Sequence, residues 1–209
     1  MAARVDPQLF CVERWQPGLR QFVQQLQALL LGMTAGPGML LIVALAITGF
    51  TGGTGAAPLP WIPWAVAGTA LAGWILAEIW AQHMVRTKFG EIVVGKGRLF
   101  GIPGNSDLNK ALSGFINEFG DVGRLFTIFF LSRFLRSAVL EGLAFLATVG
   151  YLLSPNPLSL GAAIILIIAI PWGFPTLNGV TQWIVEMLRR LEYKRAESFS
   201  AQTAGPKER

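Results

Sequence analysis

The stretch FLSRFLRSAVLEGLAFLATVGYLL, residues 130–153, carries the strongest structural signal in the sequence. It is apolar over more than the roughly 20 residues that cross a bilayer, yet it carries Arg133, Arg136 and Glu141. A helix advances about 100° per residue. On that wheel Arg133, Arg136, Ser137, Glu141, Ala144, Ala147, Thr148 and Tyr151 share one face, while Phe134, Leu135, Val139, Phe145, Leu146, Val149 and Leu152 take the other. Ionisable groups within a membrane helix are rare and turn toward a bundle interior. The pattern therefore predicts a bundle whose other helices cover the polar face.

Those other helices are found on either side. Runs 28–50, 61–83, 125–153 and 158–172 or slightly beyond are each apolar enough to be predicted as spans. Only 14% of the 209 residues are charged and 53% are hydrophobic, against about 25% charged in an ordinary soluble domain. The expected fold is an all-α membrane protein with four transmembrane helices arranged as two hairpins, 28–83 and 125–175, with no room for a separate soluble domain. Arg4, Asp6, Glu13, Arg14 and Arg20 precede the first apolar run, and no small-residue cleavage site closes it, so a retained span rather than a secretory signal is expected.

Charge sets the orientation. Arg4, Arg14 and Arg20 precede the first span; Arg86, Lys88, Lys96, Arg98, Lys110 and Arg124 lie between the hairpins; Arg189, Arg190, Lys194, Arg195, Lys207 and Arg209 follow the last. The connections TGGTGAAPLP (51–60) and SPNP (154–157) hold no charge. By the positive-inside rule both termini and the central loop are cytoplasmic. A bacterial cytoplasmic membrane is the expected location, with anionic lipid headgroups rather than nucleic acid as the partner of the +5 net charge.

The polar segments are read as a cytoplasmic N-terminal stretch (1–27), a loop (84–124), an amphipathic helix (176–195) and a disordered tail (196–209). Within the loop, residues 90–102 predict a short β-hairpin around Gly95–Gly97. Ser106 is placed to cap a helix whose Leu108, Leu112, Phe115, Ile116 and Phe119 repeat at helical spacing. This helix and 176–195, striped with Val180, Trp183, Ile184, Met187, Leu188 and Leu191, are expected to lie on the membrane surface. The glycines of GKGRLFG fit neither a dinucleotide fingerprint nor a Walker A loop.

Helix seams are expected at small residues, namely Gly32 and Gly36 in the first span and Ala65, Thr69, Gly73 and Ala77 in the second. Pro37 and Pro171 each remove one helical hydrogen bond and are read as kinks that leave a carbonyl short of a donor. Counting about 1.5 Å per residue from the outer ends puts Glu141 roughly 18 Å deep, Arg136 and Glu78 about 25 Å, and Arg133 about 30 Å. Equal depth pairs Glu78 with Arg136, and both arginines can snorkel toward the cytoplasmic interface. Glu141 has no cation at its level. Either it stays protonated and donates to a carbonyl freed by Pro37 or Pro171, or one of the arginines bends toward it.

Single copies of Cys11 and His83 exclude an intramolecular disulfide, cysteine-rich metal chemistry and bis-histidine haem ligation. No metal site, cofactor or catalytic constellation is expected. Two functions remain. One is a scaffold or accessory subunit without catalytic activity, held in a homo-oligomer or a larger membrane complex. The other is an oligomeric channel or proton-coupled transporter component that uses Glu141.

The run Arg136-Ser-Ala-Val-Leu-Glu141-Gly142, then Tyr151-Leu-Leu, Asn156-Pro157-Leu158 and Phe174-Pro175-Thr176, resembles the second hairpin of small, uncharacterised bacterial four-helix membrane proteins. The likeness covers the C-terminal third and implies no activity. Glu141-Gly142 is also similar to the proton-carrying carboxylate region of rotary ATP synthase c subunits. Here, however, the carboxylate is on the first helix of its hairpin, alongside two arginines that have no place in that design.

Overall fold

A computed structural model of the chain describes residues 10–50, 60–94, 106–172 and 174–203. Regular structure among them is entirely helical: α1 (Val12–Phe50), α2 (Ile62–Val93), α3 (Ser106–Phe119), α4 (Asp121–Leu153), α5 (Pro157–Ala169) and α6 (Leu177–Thr203). These residues form two compact units. One, here the aromatic unit, comprises Met1–Gln24, Met84–Leu131 and Pro175–Arg209; the other, the apolar unit, comprises Gln25–His83 and Ser132–Phe174. Helices α1, α2 and α4 contribute residues to both.

Among the described residues, α1 and α2 are long and apolar enough to cross a membrane, where four such segments are expected. The other two fall short for different reasons. Helix α4 is long enough, at 33 residues, but Asp121, Arg124, Arg133, Arg136 and Glu141 lower its apolarity. Helix α5 has only 13 residues, about 20 Å of rise against a hydrocarbon core of about 30 Å. Pro171 ends it rather than kinking it: Ile170 still has helical dihedrals, but proline has no N–H with which to continue the ladder. Ile170 caps α5 by donating to the Leu166 carbonyl, and Phe174 N–H closes a turn onto the Pro171 carbonyl at 2.9 Å. Pro37, by contrast, lies inside α1, which continues through it.

The aromatic unit corrects the two expected surface helices and supplies the separate core for which the sequence leaves no room. Leu112, Phe115, Ile116 and Phe119 of α3 are buried, as are Val180, Ile184, Leu188 and Leu191 of α6. Protein therefore covers both apolar faces. Phe115 packs edge-on to Phe22 of α1 at 5.3 Å between ring centroids and to Phe126 of α4 at 5.9 Å. Phe126 in turn meets Phe22 at 5.7 Å and Phe130 at 6.1 Å, and Phe129 meets Trp183 of α6 at 5.2 Å.

Two glycines allow α3 and α4 to fold back on each other. Gly120, at φ +54°, takes the left-handed conformation that ends α3 and donates to the Ile116 carbonyl at 2.7 Å. At Gly123 a Cβ would lie 2.6 Å from Ile116 Cα and 2.9 Å from the Phe115 carbonyl oxygen. Only a residue without a side chain allows the two backbones to approach so closely.

Other boundaries move as well. Helix α1 begins at Val12, so most of the expected N-terminal tail is helical. Gly90–Val93, expected as a strand, belongs to α2, where Phe89 and Ile92 are buried three residues apart on one face and Lys88 pairs with Glu91 at 2.7 Å. The rest of that hairpin, 95–102, lies outside the described residues. Helix α6 runs to Thr203, so the expected disordered tail is helical through that residue, and 204–209 lie outside the described residues.

The apolar unit packs through small side chains. Its core joins Leu41, Val66, Ala70, Leu140, Ala144, Ala147, Ala163, Leu166 and Ala169. At Gly73 a Cβ would lie 2.6 Å from Leu143, at Gly36 3.1 Å from Phe145, and at Gly150 2.5 Å from Val66. Gly32 and Thr69, expected at seams, are instead exposed. The reason is angular: steps of four residues turn about 40° each, so a strict Ala65, Thr69, Gly73, Ala77 series drifts off the contact. The inward stripe of α2 is buried Val66, Ala70 and Ala77 with half-buried Gly73 among them.

Candidate functional site

Helix α4 turns its polar face into the apolar unit. Ser137, Ala144, Ala147 and Thr148 are buried, and the Thr148 hydroxyl donates to the Ala144 carbonyl at 2.8 Å, so it leaves no donor unmatched. Near the far end of α4, Tyr151 and Thr48 of α1 bring their hydroxyls to 3.2 Å.

The charges of this unit are few. Of the chain's 17 basic and 12 acidic residues, only Arg133, Arg136, Glu78 and Glu141 belong to it. Arg136 Nε lies 2.7 Å from Glu78 Oε2, the partner at equal depth. Both atoms are buried and neither makes a hydrogen bond, so the contact is an ion pair without linear N–H···O geometry. Arg133, three residues before Arg136 on the same face, interacts electrostatically with both members of the pair. Arg133, Arg136 and Glu78 therefore form one cluster, with one positive charge in excess.

Glu141 stands apart from the cluster. It is half-buried, and its Oε1 would lie 3.7 Å from a Cβ at Gly36, the residue before Pro37 on α1. Among the described residues it makes no hydrogen bond or ion pair. Neither a proline-freed carbonyl nor either arginine reaches it: Arg136 pairs with Glu78, and Arg133 interacts with that pair.

Two sets of residues emerge only from the structure. Trp61, Trp64, Trp80 and Trp172 are each about half or more exposed on the apolar unit. Trp61 and Trp80 are separated by 19 residues of chain, or about 28 Å along a helix. Tryptophan at both ends of an apolar run is the signal that could have marked them. In the aromatic unit, Arg195 of α6 donates from Nη1 to Asp121 Oδ2 at 2.8 Å and from Nη2 to the Ile92 carbonyl at 3.1 Å. One guanidinium thus joins α6 to the start of α4 and the last turn of α2. Partners so distant in sequence leave no local signature.

Among the described residues no group of three or more histidine, cysteine, aspartate or glutamate side chains is placed to hold a metal ion. Comparison of the chain with protein families, with curated proteins and with solved structures found no match.

Proposed function

We propose that the chain is a multi-pass membrane scaffold or accessory subunit, with no catalytic activity of its own, whose apolar unit sits in a bilayer and whose aromatic unit is cytoplasmic. The observation that carries this reading is a division of surface chemistry. Among the described residues, every large hydrophobic side chain that is exposed belongs to the apolar unit, except Val94 and Tyr193, while all the charges of the sequence but four belong to the other unit. Monomeric soluble proteins rarely expose large apolar patches.

In this reading the second hairpin joins α1 and α2 in the membrane. Residues 62–83 of α2 and 132–153 of α4 fall in the apolar unit, each about 33 Å of helix, close to the hydrocarbon thickness. The exposed tryptophans fit the two interfacial belts. Helix α5 with its Pro171 turn returns toward the cytoplasmic side, which leaves both termini inside. The bacterial cytoplasmic membrane follows from the resemblance of the second hairpin, and anionic headgroups would meet Arg20 and Arg86, both exposed.

Membrane-impermeant maleimide tests the orientation. Cys11 is exposed and should label only after spheroplasts are opened. A cysteine introduced by Pro155→Cys in a Cys11→Ser background should label on intact cells. Labelling of both before lysis, or neither, contradicts the topology.

Glu141 supports a second reading as a channel or proton-coupled transport component, because it is the one carboxylate of this unit that has no partner among the described residues. If so, Glu141→Gln abolishes proton flux in proteoliposomes while assembly is unchanged. Flux that is absent from the wild type, or equal in the variant, removes this reading.

A further inference from the structure

Between α2 and α5 the apolar unit holds a slot of about 370 Å³, walled by Ala67, Leu71 and Trp74 on one side and Gly161, Ala162 and Ile165 on the other. It opens at Pro157 and Leu158 onto a wider mouth of about 790 Å³, bordered by Trp64, Ser154 and Asn156. We infer that this slot and mouth bind one phospholipid of the outer leaflet, with an acyl chain in the slot and the headgroup at the mouth. The inference rests on the membrane placement proposed above.

The chemistry of the two parts selects the occupant. The polar side-chain group lining the slot is the single indole N–H of Trp74, so water, which needs two or more polar partners, has no full anchor there. Part of a hydrocarbon chain can lie in it and restore the dispersion contacts that an empty apolar gap loses. The mouth supplies what a headgroup needs. Asn156 Oδ1 accepts from the Leu158 N–H at 2.8 Å, which leaves the side-chain amide N–H groups as donors, and exposed Trp64 suits the interface. The small residues Ala67, Gly161 and Ala162 leave the space that the slot occupies. Around Gly161 a Cβ would meet nothing within 4 Å, so a larger side chain enters open space and disturbs no packing.

The test is Gly161→Leu against Gly68→Leu, a control at an exposed glycine whose Cβ also meets nothing within 4 Å and which does not line the slot. Protein is reconstituted in palmitoyl-oleoyl phosphatidylethanolamine, returned to mild detergent and examined by native mass spectrometry. Wild type and Gly68→Leu should each keep one phospholipid per protomer. Gly161→Leu should lower the lipid-bound fraction roughly ten-fold, the effect of displacing two buried methylenes. Equal retention overturns the inference, as does a lipid-free dimer that Gly161→Leu dissociates, since the occupant would then be a second copy.

A second measurement does not depend on how the variant folds. In nanodiscs of chain-brominated phospholipid, the emission lost on Trp74→Phe should be the quenched component, and an unquenched Trp74 counts against an acyl chain in the slot. Membrane placement is read separately: release by alkaline carbonate contradicts that placement, whereas retention in the membrane without bound lipid contradicts the slot alone.

Discussion

Replacing Phe126 by alanine should destabilise the aromatic unit by about 3–5 kcal/mol, the usual result of truncating a fully buried phenylalanine. Phe126 has no exposed surface, and its ring contacts Phe22, Phe115 and Phe130. Removal opens a cavity where α1, α3 and α4 meet, and each of the three aromatic partners loses an edge contact besides its buried area. Hydrogen exchange in detergent is the discriminating measurement, because it reports on each helix separately. Backbone protection should fall in α3 and in residues 12–24 of α1, while α5 keeps its protection. Were α3 a membrane-surface helix, Phe126→Ala would leave its exchange unchanged.

That prediction also marks where sequence reading stops. Spacing reveals the apolar faces of α3 and α6, since Leu112, Phe115, Ile116 and Phe119 repeat at helical intervals, as do Val180, Ile184, Leu188 and Leu191. Periodicity gives a face but not what covers it. In a chain this apolar the bilayer is the obvious cover, and the true one is the segments of α1, α2 and α4 that belong to the same unit, whose Trp15, Phe22, Phe89 and Phe126 look from sequence like parts of a tail, a loop and a span. The strand expected at residues 90–94 fails similarly: β-branched Ile92 and Val93 favour strand geometry, but burial of Phe89 and Ile92 on one helical face overrides it.

The apolar unit is more legible because helical rise alone orders residues along neighbouring helices. Counting residues from Trp61 and Leu153 is enough to bring Glu78 level with Arg136, the two residues found in contact. Counting says nothing about rotation, which is why Gly32 and Thr69 are misassigned while Gly36 and Gly73 lie at close contacts. The length of α5 is missed because Pro171 ends the helix before the apolar run is over.

The Glu78–Arg136 pair turns the membrane question into a measurement. The Arg136 side chain is 13% exposed and that of Glu78 44%. If the exposed part of Glu78 meets water, the pair is an ordinary surface ion pair worth about 0–1 kcal/mol, and removing either partner does little. If it meets hydrocarbon, removal of Arg136 strands a carboxylate in a medium where an unpaired charge costs about 2.5–3.5 kcal/mol. Arg136→Leu and Glu78→Leu should then each lower stability by about 3 kcal/mol. The double replacement should cost less than either single change, because it leaves no charge stranded. Exchanging the charges, Glu78→Arg with Arg136→Glu, should recover most of the loss. Thermal unfolding in lipid nanodiscs measures all four variants. Single changes under about 1 kcal/mol would put Glu78 in water and remove residues 132–153 from the bilayer, whereas large single losses with a small double loss require that the helix face carrying Arg136 be surrounded by lipid and its partner helices.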